Sequence, residues 1–180
     1  KFFFNLRLAI IQARTNSSRL PNKMFKLLGD RPIIGWVISR LKKSRNIDKL
    51  VLATSINKED DHLAQLVKDS GCEVFRGDLD DVLGRFYNCS RLYKSKNIIR
   101  LTGDCPLIDP FLIDELIQNF IEMDWDYLSN SADADKLSVP DGFDAEVFKS
   151  YVLESAYQNA NLPSEREHVT PWFRTKKANL

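Results

Sequence analysis

The chain has 180 residues, enough for one domain with a substantial core, and 43% of the residues are hydrophobic, as in ordinary globular proteins. Its 26 Lys and Arg balance 25 Asp and Glu, and no apolar run approaches the ~20 residues of a membrane helix, which argues against a general nucleic-acid binder and against a membrane-bound protein. Three widely spaced cysteines without a Cys-x-x-Cys or Cys/His cluster indicate no zinc site, and we expect a cytoplasmic protein with reduced thiols.

Short apolar runs alternate with segments of helical periodicity along the chain. The runs predict strands at residues 8–12, 50–54, 73–75, 98–102, 127–129 and 144–148. Helix starts between them are marked by capping residues and prolines: Asp30 with Pro32, Asn57, Asp78 with Asp81, and Asp109 with Pro110. Strands joined by helices pair in parallel through right-handed crossovers. The alternation therefore predicts an α/β fold of three layers, with an open, mostly parallel sheet and helices on both faces.

The loop after the first predicted strand is rich in cations, and ligands of such sheets bind beyond the carboxyl ends of the strands. This loop carries Arg14, Arg19 and Lys23 with no acid between them. Arginine offers forked, permanently charged donors and lysine a movable point charge, so the three together suit a polyphosphate. A nucleoside triphosphate is the first ligand that the loop indicates. The alternative is a set of solvated charges on an ordinary surface loop.

Two further strand ends carry polar residues and are expected at the same edge of the sheet. Thr54 and Ser55 follow the second predicted strand, and Thr102, Gly103 and Asp104 follow the fourth. Mg²⁺ beside phosphates takes one or two carboxylates and keeps substrate oxygens and waters, so Asp104 is a candidate magnesium ligand. The alternative is an aspartate that bonds its own backbone in a Gly-containing turn.

Several catalytic motifs are absent from the sequence. There is no Gly-x-x-x-x-Gly-Lys-Ser/Thr of a P-loop NTPase and no Gly-x-Gly-x-x-Gly of a dinucleotide-binding fold. There is no Gly-x-Ser-x-Gly, and neither His62 nor His168 is paired in sequence with a nucleophile, so a hydrolase has little support. Phosphate binding by a glycine-rich loop at a helix N-terminus is therefore not predicted.

Eight segments, in the same order along nearly the whole chain, carry a family resemblance. In the first half they are residues 10–14, 18–21 with Lys23, 53–55, 75–77 and 81–86. In the second half they are residues 100–108, 140–148 and 164–171. Together they resemble the SpsF-type branch of the cytidylyltransferases, which is related to the synthetases of CMP-activated acidic sugars.

The resemblance implies a single nucleotidyltransferase domain over residues 1–180 with a nucleotide-diphospho-sugar transferase (GT-A-like) fold. It implies a reaction in which an oxygen of a sugar, expected to be acidic, attacks the α-phosphorus of CTP and expels pyrophosphate, in surface or spore coat polysaccharide biosynthesis. By this analogy Arg14 and Lys23 hold the triphosphate and Asp104 binds Mg²⁺, and these three are the implied catalytic residues. A homodimer is also expected. The implied nucleotide-binding set is completed by Gln12, Ala13, Arg19, Thr54, Ser55 and Thr102.

The backbone of Gln12 and Ala13 would read cytosine in this analogy. The implied contacts of the acceptor sugar are Arg76, Asp144, Glu146, Glu165, Arg166 and His168. Asp144 and Glu146 alternate along a strand-like segment, so both would face one side, although two solvated acids on an edge strand would look the same. His168 is either a general base or a structural histidine.

Two local patterns point to structural roles beside these contacts. Ser164 and Glu167 fit a capping box, with Ser164 as the N-cap of a helix. Arg85 lies in a predicted helix, where an ion pair with Asp81 four residues earlier is the simplest account.

The sequence departs from the wider CMP-sugar synthetase group in one respect. Members of that group carry a later acidic segment that supplies a second metal carboxylate, and nothing after Arg174 matches it. Three alternatives stay open: the protein continues beyond Leu180, Asp144 or Glu146 substitutes, or this chain binds nucleotide without turnover. The other functions that stay open are a uridylyl- or guanylyltransferase, a glycosyltransferase, and a non-catalytic scaffolding or regulatory domain.

Overall fold

The computed structural model describes residues 6–16, 20–131 and 139–175. In chain order the strands are β1 (Arg7–Gln12), β2 (Leu27–Leu28), β3 (Arg31–Pro32), β4 (Lys49–Ser55), β5 (Glu73–Gly77), β6 (Asn97–Thr102), β7 (Tyr127–Ser129) and β8 (Glu146–Lys149). The α-helices are α1 (Ile33–Leu41), α2 (Asp61–Asp69), α3 (Val82–Leu92), α4 (Pro110–Glu122), α5 (Ser150–Asn159), α6 (Pro163–His168) and α7 (Pro171–Arg174). Two 3₁₀ helices cover Lys23–Phe25 and Lys58–Asp60. Within these described ranges, no helix is both long and apolar enough to cross a membrane.

β1 lies inside a six-stranded sheet whose strand order is β5-β4-β1-β6-β8-β7. It pairs in parallel with β4 on one side and with β6 on the other, and β4 pairs in parallel with β5. β8 runs antiparallel to both β6 and β7, while β2 and β3 form a separate two-stranded sheet. The predicted mostly parallel α/β sheet is confirmed. Its parallel half brings the carboxyl ends of β1, β4 and β6 to one edge.

Helices cover both faces of the sheet. Successive residues of an inner strand point to opposite faces, so an apolar strand such as β1 contributes side chains to a core on each side. In β1, Ala9 and Ile11 belong to a core that also contains apolar residues of α1, α2 and α4. Leu8 and Ile10 belong to a second core with residues of α3, α5 and α7. Burial of β1 on both faces explains its unbroken apolar run, and the predicted three layers are confirmed.

The predicted helix starts agree in part with the structure. Asp81 at α3 and Asp109 at α4 each accept a backbone N–H bond through the carboxylate, at 2.8 and 2.7 Å. α1 starts at Ile33, because Pro32 still belongs to β3. Asn57 precedes the 3₁₀ helix that leads into α2, so the helix it begins is not α2 itself.

The three cysteines, Cys72, Cys89 and Cys105, are free and buried, as the sequence predicts. Burial raises the pKa of Cys72 to about 11 and that of Cys89 to about 12. Both thiols therefore stay protonated at neutral pH and pack as small apolar groups.

Gly103 allows the end of β6 to approach the end of β1. Its backbone N–H donates to the carbonyl of Gln12 at 2.9 Å. A Cβ added at Gly103 would lie 2.7 Å from the Cβ of Ala13 and 3.2 Å from both Ile34 Cδ1 and Met24 Sδ. Glycine is therefore required at this position for close packing of the two strand ends.

We expect Gly103→Ala to lower the free energy of unfolding by about 1 to 3 kcal/mol, because the added methyl group overpacks the junction of the two strands. Gly35→Ala is the matched control. Its added methyl group would lie 2.9 Å from Arg31 Cγ and 3.2 Å from Arg31 Cδ, so the Arg31 side chain must shift. Because alanine has a higher helix propensity than glycine, which offsets this cost, we expect a smaller loss of stability than in Gly103→Ala. Denaturant unfolding of the three proteins measures both changes. Equal stability of Gly103→Ala and the parent protein would contradict the packing argument.

Candidate functional site

Two adjoining cavities open at the carboxyl ends of β1 and β6. The first, termed the β1 cleft, measures about 330 Å³, and its polar lining includes Gln12, Arg14, Asn16, Lys23, Arg85 and Asp104. The second, termed the β8 cavity, measures about 480 Å³, and its lining includes Ser131, Asp144, Glu146, Thr170 and Arg174. Three residues line both cavities: Arg100, Thr102 and His168. The two cavities therefore meet beside the end of β6.

The β1 cleft carries an excess of positive charge. Among the described residues of its lining, two acids, Asp104 and Glu167, face four basic side chains: Arg14, Lys23, Arg85 and Arg100. Lys23 donates a hydrogen bond to Asp104, and a guanidinium nitrogen of Arg14 lies 3.8 Å from a carboxylate oxygen of Glu167. Both pairs involve partly exposed side chains, so each contributes little to stability. A polyanion that enters the cleft can therefore replace the two carboxylates as partner of Arg14 and Lys23.

Asp104 lies in the turn after β6 with its carboxylate accessible. Burial raises the pKa of this carboxyl, but the hydrogen bond and charge of Lys23 outweigh burial, and the pKa lies below its usual value. Asp104 is therefore ionised at neutral pH. Among residues 6–16, 20–131 and 139–175, no group of three or more His, Cys, Asp or Glu side chains is arranged to hold a metal ion. A cation bound at Asp104 would need further oxygen ligands, which a phosphate can supply.

A buried carboxylate fixes the start of the cation-rich loop. Asp60 is 2% exposed and accepts the backbone N–H of Thr15 at 2.6 Å, together with the backbone N–H and the hydroxyl of Ser55. Burial raises the pKa of Asp60, but the bonds from Ser55 and Thr15 outweigh it and hold the pKa below its usual value. Because Thr15 directly follows Arg14, this carboxylate ties the loop to the end of β4. Sequence reasoning missed the link, since 45 positions separate the two partners.

Arg85 is 2% exposed and packs against the loop between β5 and α3. Its guanidinium donates to the carbonyls of Asp78 at 2.6 Å and Leu79 at 2.9 Å. The predicted ion pair with Asp81 is wrong, because Asp81 caps α3 and accepts a bond from Arg166 at 2.5 Å. Burial lowers the pKa of Arg85, yet an arginine remains charged. The structure thus places in the lining of the β1 cleft a fixed cation whose helical spacing had predicted an ion pair with Asp81.

A chain of polar contacts crosses the boundary between the two cavities. Arg100 donates to Glu146 at 2.5 Å and to the side-chain oxygen of Gln12 at 3.2 Å. The hydroxyl of Tyr127 donates to the other carboxylate oxygen of Glu146 at 2.7 Å. Burial and the charge of Glu146 raise the pKa of Tyr127, so this hydroxyl keeps its proton. Glu146, predicted as a sugar contact, instead uses both oxygens to hold Arg100 and Tyr127.

A comparison with protein families bears on what these cavities bind. The model of the cytidylyltransferase family matches residues 8–180, a range that contains both cavities. The chain belongs to the cytidylyltransferase family. The resemblance that its eight sequence segments carry is thereby confirmed.

Three relatives show how much of a longer cytidylyltransferase-family protein this chain covers. An uncharacterized protein of Methanocaldococcus jannaschii is 43% identical over 166 residues, which is 92% of this chain and 66% of that protein. The spore coat polysaccharide biosynthesis protein SpsF of Bacillus subtilis is 36% identical over 176 residues, 95% of this chain and 71% of SpsF. A 3-deoxy-manno-octulosonate cytidylyltransferase of Anaeromyxobacter is 33% identical over 111 residues, 60% of this chain and 44% of that enzyme. The chain therefore spans between 44% and 71% of the length of these relatives.

Solved structures confirm the predicted nucleotide-sugar transferase fold. A cytidylyltransferase from Leptospira borgpetersenii superposes with a TM-score of 0.88 at 34% identity, over 93% of this chain and 70% of that one. A CMP:2-keto-3-deoxy-manno-octonic acid synthetase in complex with CTP gives a TM-score of 0.70 at 18% identity, over 92% of this chain and 83% of that one. At the lower identity the likeness concerns the fold alone.

Thr54, Ser55 and Arg76, predicted as ligand contacts, line neither cavity. Thr54 and Ser55 are fully buried at the end of β4, where Ser55 bonds Asp60. Arg76, on β5, donates to two backbone carbonyls at 2.7 and 2.8 Å and pairs with Asp61 at 2.6 Å. These three predictions are corrected. Thr54 is buried beneath the segment that follows β4, and Ser55 and Arg76 make their bonds to that segment.

Gln12 and Ala13 line the β1 cleft, and one backbone group of each is bonded within the protein. The carbonyl of Gln12 accepts the N–H of Gly103, and the N–H of Ala13 donates to the carbonyl of Ala53 at 3.5 Å. A carbonyl has two lone pairs, so that of Gln12 keeps one for a further hydrogen bond.

Glu165 and Arg166, predicted as sugar contacts, bind other parts of the protein. α6 has Leu162 as its N-cap, two positions before the predicted Ser164, because a proline occupies the first helical position. Glu165 is buried, and its carboxylate accepts the backbone N–H groups of Asn161 and Leu162 at the start of α6, each at 3.1 Å. Arg166 donates to a backbone carbonyl at 2.9 Å and pairs with Asp81. Both side chains thus fix α6 against its neighbours.

A strained turn follows α6 and sets the position of His168. Val169 has φ 70° and ψ −56°, and the N–H of Thr170 donates to the carbonyl of His168 at 2.8 Å. This γ-turn with positive φ is rare and costly, above all for a β-branched residue such as the fully buried Val169. It places His168 at the boundary of the two cavities and Thr170 in the lining of the β8 cavity.

The structure brings most of the predicted nucleotide site together. Arg14, Lys23 and Asp104 line the β1 cleft, Asp144 and Glu146 line the β8 cavity, and Thr102 and His168 line both. Arg19 lies outside the described residues. Sequence reasoning gave no role to several residues that line the cavities: Asn16, Arg100, Thr170 and Arg174. Arg100 had a recognisable signal, since it is a charged residue within the apolar run of a buried strand.

We expect Asp60→Asn to lower the free energy of unfolding at neutral pH by about 1 to 3 kcal/mol. The side-chain amide of asparagine would place its own N–H groups against the backbone N–H groups that the carboxylate accepts, so hydrogen bonds would be lost. The folded-state pKa of Asp60 lies below the unfolded value. The ionised carboxylate therefore stabilises the folded protein fully above a pH of about 4, and this stabilisation is lost as the pH falls through the folded pKa. The stability difference between variant and parent should therefore shrink in acid. Urea unfolding across this pH range measures it.

Asp61→Asn is the matched control for this prediction. Asp61 is the next residue in the chain, and its side chain is 59% exposed in a surface pair with Arg76, so we expect a loss below about 1 kcal/mol. A deficit of Asp60→Asn that stayed constant from neutral pH into acid would contradict an ionised Asp60 as the tie of the loop.

Proposed function

We propose that this chain transfers CMP from CTP to a sugar and releases pyrophosphate. The observation that carries the proposal is the junction of the cation-lined β1 cleft with the β8 cavity at Arg100, Thr102 and His168. Nucleotidyl transfer needs a triphosphate site and an acceptor site that meet at the α-phosphate. Family membership and the name of the 3-deoxy-manno-octulosonate cytidylyltransferase support cytidine as the base and a sugar as the acceptor.

Arg14 and Lys23 would hold the β- and γ-phosphates of CTP. Both line only the β1 cleft of the two cavities, and their present carboxylate partners are exchangeable. An acceptor oxygen would bond to the α-phosphorus and lose its proton, while the bond from that phosphorus to the leaving pyrophosphate breaks. Catalysis of such transfers is mostly positioning and charge neutralisation, so cations on the leaving group lower the barrier. Arg19 is proposed as a further phosphate contact.

Asp104 would hold Mg²⁺ together with the phosphates. Its ionised, accessible carboxylate fits an ion that takes one or two carboxylates and completes its shell with substrate oxygens and water. Bound there, Mg²⁺ would neutralise phosphate charge and polarise the α-phosphate. The ammonium of Lys23 would exchange its bond to Asp104 for a bond to phosphate.

The β8 cavity would hold the acceptor sugar. It offers a cation at Arg174, a carboxylate at Asp144 and a hydroxyl at Thr170. Burial, with the nearby charge of Asp141, raises the pKa of Asp144, so its carboxylate gains from accepting hydrogen bonds of sugar hydroxyls. Arg174 would pair with the carboxylate of an acidic sugar, and His168 would contact the sugar where the cavities meet.

The remaining proposals concern the cellular setting. SpsF is named for spore coat polysaccharide biosynthesis, which supports a role of this chain in making an activated sugar for a surface polysaccharide. The family resemblance further supports a cytoplasmic homodimer.

Calorimetric titration with CTP, UTP, GTP and ATP, each with and without Mg²⁺, tests the proposed function. We expect CTP to bind at least about tenfold more tightly than the others and Mg²⁺ to strengthen its binding. Asp104→Asn should remove most of the Mg²⁺ effect, because the amide lacks the charge that the ion needs. Pyrophosphate release with 3-deoxy-manno-octulosonate and with neutral hexoses then tests the acceptor class.

Other results of the titration would replace the proposal. A preference for UTP or GTP would indicate a different nucleotidyltransferase. Binding of none of the four nucleotides would favour a scaffolding or regulatory domain. An Mg²⁺ effect that survives Asp104→Asn would leave Asp104 as a turn residue.

Lys23→Ala should weaken CTP binding by about ten- to a hundredfold, the cost of losing a charged hydrogen bond to phosphate. The melting temperature should change little, since the partly exposed pair with Asp104 contributes little to stability. Lys26→Ala is the matched control, because Lys26 is an exposed lysine three positions later. Calorimetry and thermal unfolding measure the two effects. Equal CTP affinity of Lys23→Ala and Lys26→Ala would contradict the phosphate role.

A further inference from the structure

We propose that Arg100 is the ligand of the α-phosphate of the bound nucleotide. The inference rests on the proposed function and assigns a contact to a residue that neither sequence motif nor helical spacing singled out. Arg100 lies on β6 and lines both the β1 cleft and the β8 cavity.

The position of the α-phosphate follows from the reaction. It is the group of the nucleotide to which the acceptor oxygen bonds, so it lies where the two cavities meet. Of the residues that the structure describes, three line both cavities: Arg100, Thr102 and His168. Only the arginine among them carries a permanent positive charge and forked donors that match phosphate oxygens.

The guanidinium of Arg100 is held in place without a nucleotide. One terminal nitrogen donates to Glu146 at 2.5 Å and the other to Gln12 at 3.2 Å, and Tyr127 fixes Glu146 in turn. An arginine has five N–H donors, so each terminal nitrogen keeps a second N–H for a ligand. The side chain of Arg100 is only 17% exposed, and a charge fixed in such a shielded place acts more strongly on a phosphate than one in water.

Glu146 offsets the energetic cost of burying this cation and leaves N–H groups of the guanidinium available to a ligand. A buried charge without a partner is costly, and the carboxylate of Glu146, with 5% of its side chain exposed, supplies that partner. Of the β1 cleft and the β8 cavity, Arg14 and Lys23 line only the β1 cleft, and they are proposed to bind the outer phosphates. The cations of the cleft are therefore expected to act on different parts of CTP, which binding of shortened nucleotides can separate.

Calorimetric titration with cytidine, CMP and CTP, without added metal, tests the role of Arg100. The variants are Glu146→Gln alone and Arg100→Gln with Glu146→Gln, because removal of Arg100 alone would leave a buried carboxylate unpaired. Relative to Glu146→Gln, the double variant should bind CMP and CTP at least about tenfold more weakly and cytidine within about twofold. Arg45→Gln, at an exposed arginine on the surface, controls for the loss of one positive charge.

Three results would overturn the role of Arg100. The first is equal CMP affinity of the folded double variant and Glu146→Gln. The second is an equal loss for cytidine, which would place Arg100 at the base. The third is a loss of CMP affinity in Arg45→Gln as large as in the double variant. If circular dichroism shows the double variant unfolded, Arg100→Met with Glu146→Leu replaces it, since apolar side chains substitute well for a buried ion pair, and the same comparisons with the parent protein apply.

The outcome for Arg100 is distinguishable from the outcome for the proposed function. A parent protein that binds none of the three cytidine ligands, either without metal or with Mg²⁺, defeats the proposed function. A parent protein that binds CMP, beside a folded double variant that binds it equally well, overturns the role of Arg100 alone.

Discussion

The position of β1 between two parallel neighbours is the constraint on which the candidate site depends. Because β4 and β6 both run parallel to β1, their carboxyl ends reach one edge of the sheet together with the loop that carries Arg14 and Lys23. Gly103 allows the ends of β1 and β6 to touch, and Asp60 ties the loop backbone to β4. The loop is thus fixed at its start by backbone contacts, so its cationic side chains need not pair strongly with acids and remain exchangeable.

The cations of the β1 cleft fall into two kinds with different physical properties. Arg14 and Lys23 are partly exposed and weakly paired, so they can move toward a ligand. Arg85 and Arg100 are buried or nearly so, and carbonyl or carboxylate oxygens hold their guanidinium groups in fixed places. A fixed charge stabilises a transition state without reorganisation, whereas a mobile one can follow a leaving group as it departs. The cleft combines both kinds, which suits a reaction that keeps one phosphate and releases two.

The features predicted well from the sequence are those that local physics controls. Apolar runs predicted the buried strands β1, β4 and β6, and the rule that ligands bind at strand ends placed Arg14, Lys23 and Asp104 around one cleft. Predictions failed where distant partners decide a side chain's contacts. Asp81 pairs with Arg166, 85 positions away, rather than with the arginine one turn later in its own helix. No local pattern reports such competition, which depends on how α6 packs beside α3 in the finished fold.

At Val169, a substitution that relieves the backbone strain of the γ-turn would also remove the buried side chain that orders the turn. A glycine there would remove the steric cost of the positive φ and, by that measure alone, would make the fold more stable. It would also remove the buried side chain that holds the turn in the core and release the backbone on either side of it. A search for stabilising substitutions by backbone geometry alone would therefore select a change that loosens His168 and Thr170 at the edge of the β8 cavity. Consensus design or thermostability screening of this protein should for that reason be scored on catalytic turnover as well as on melting temperature.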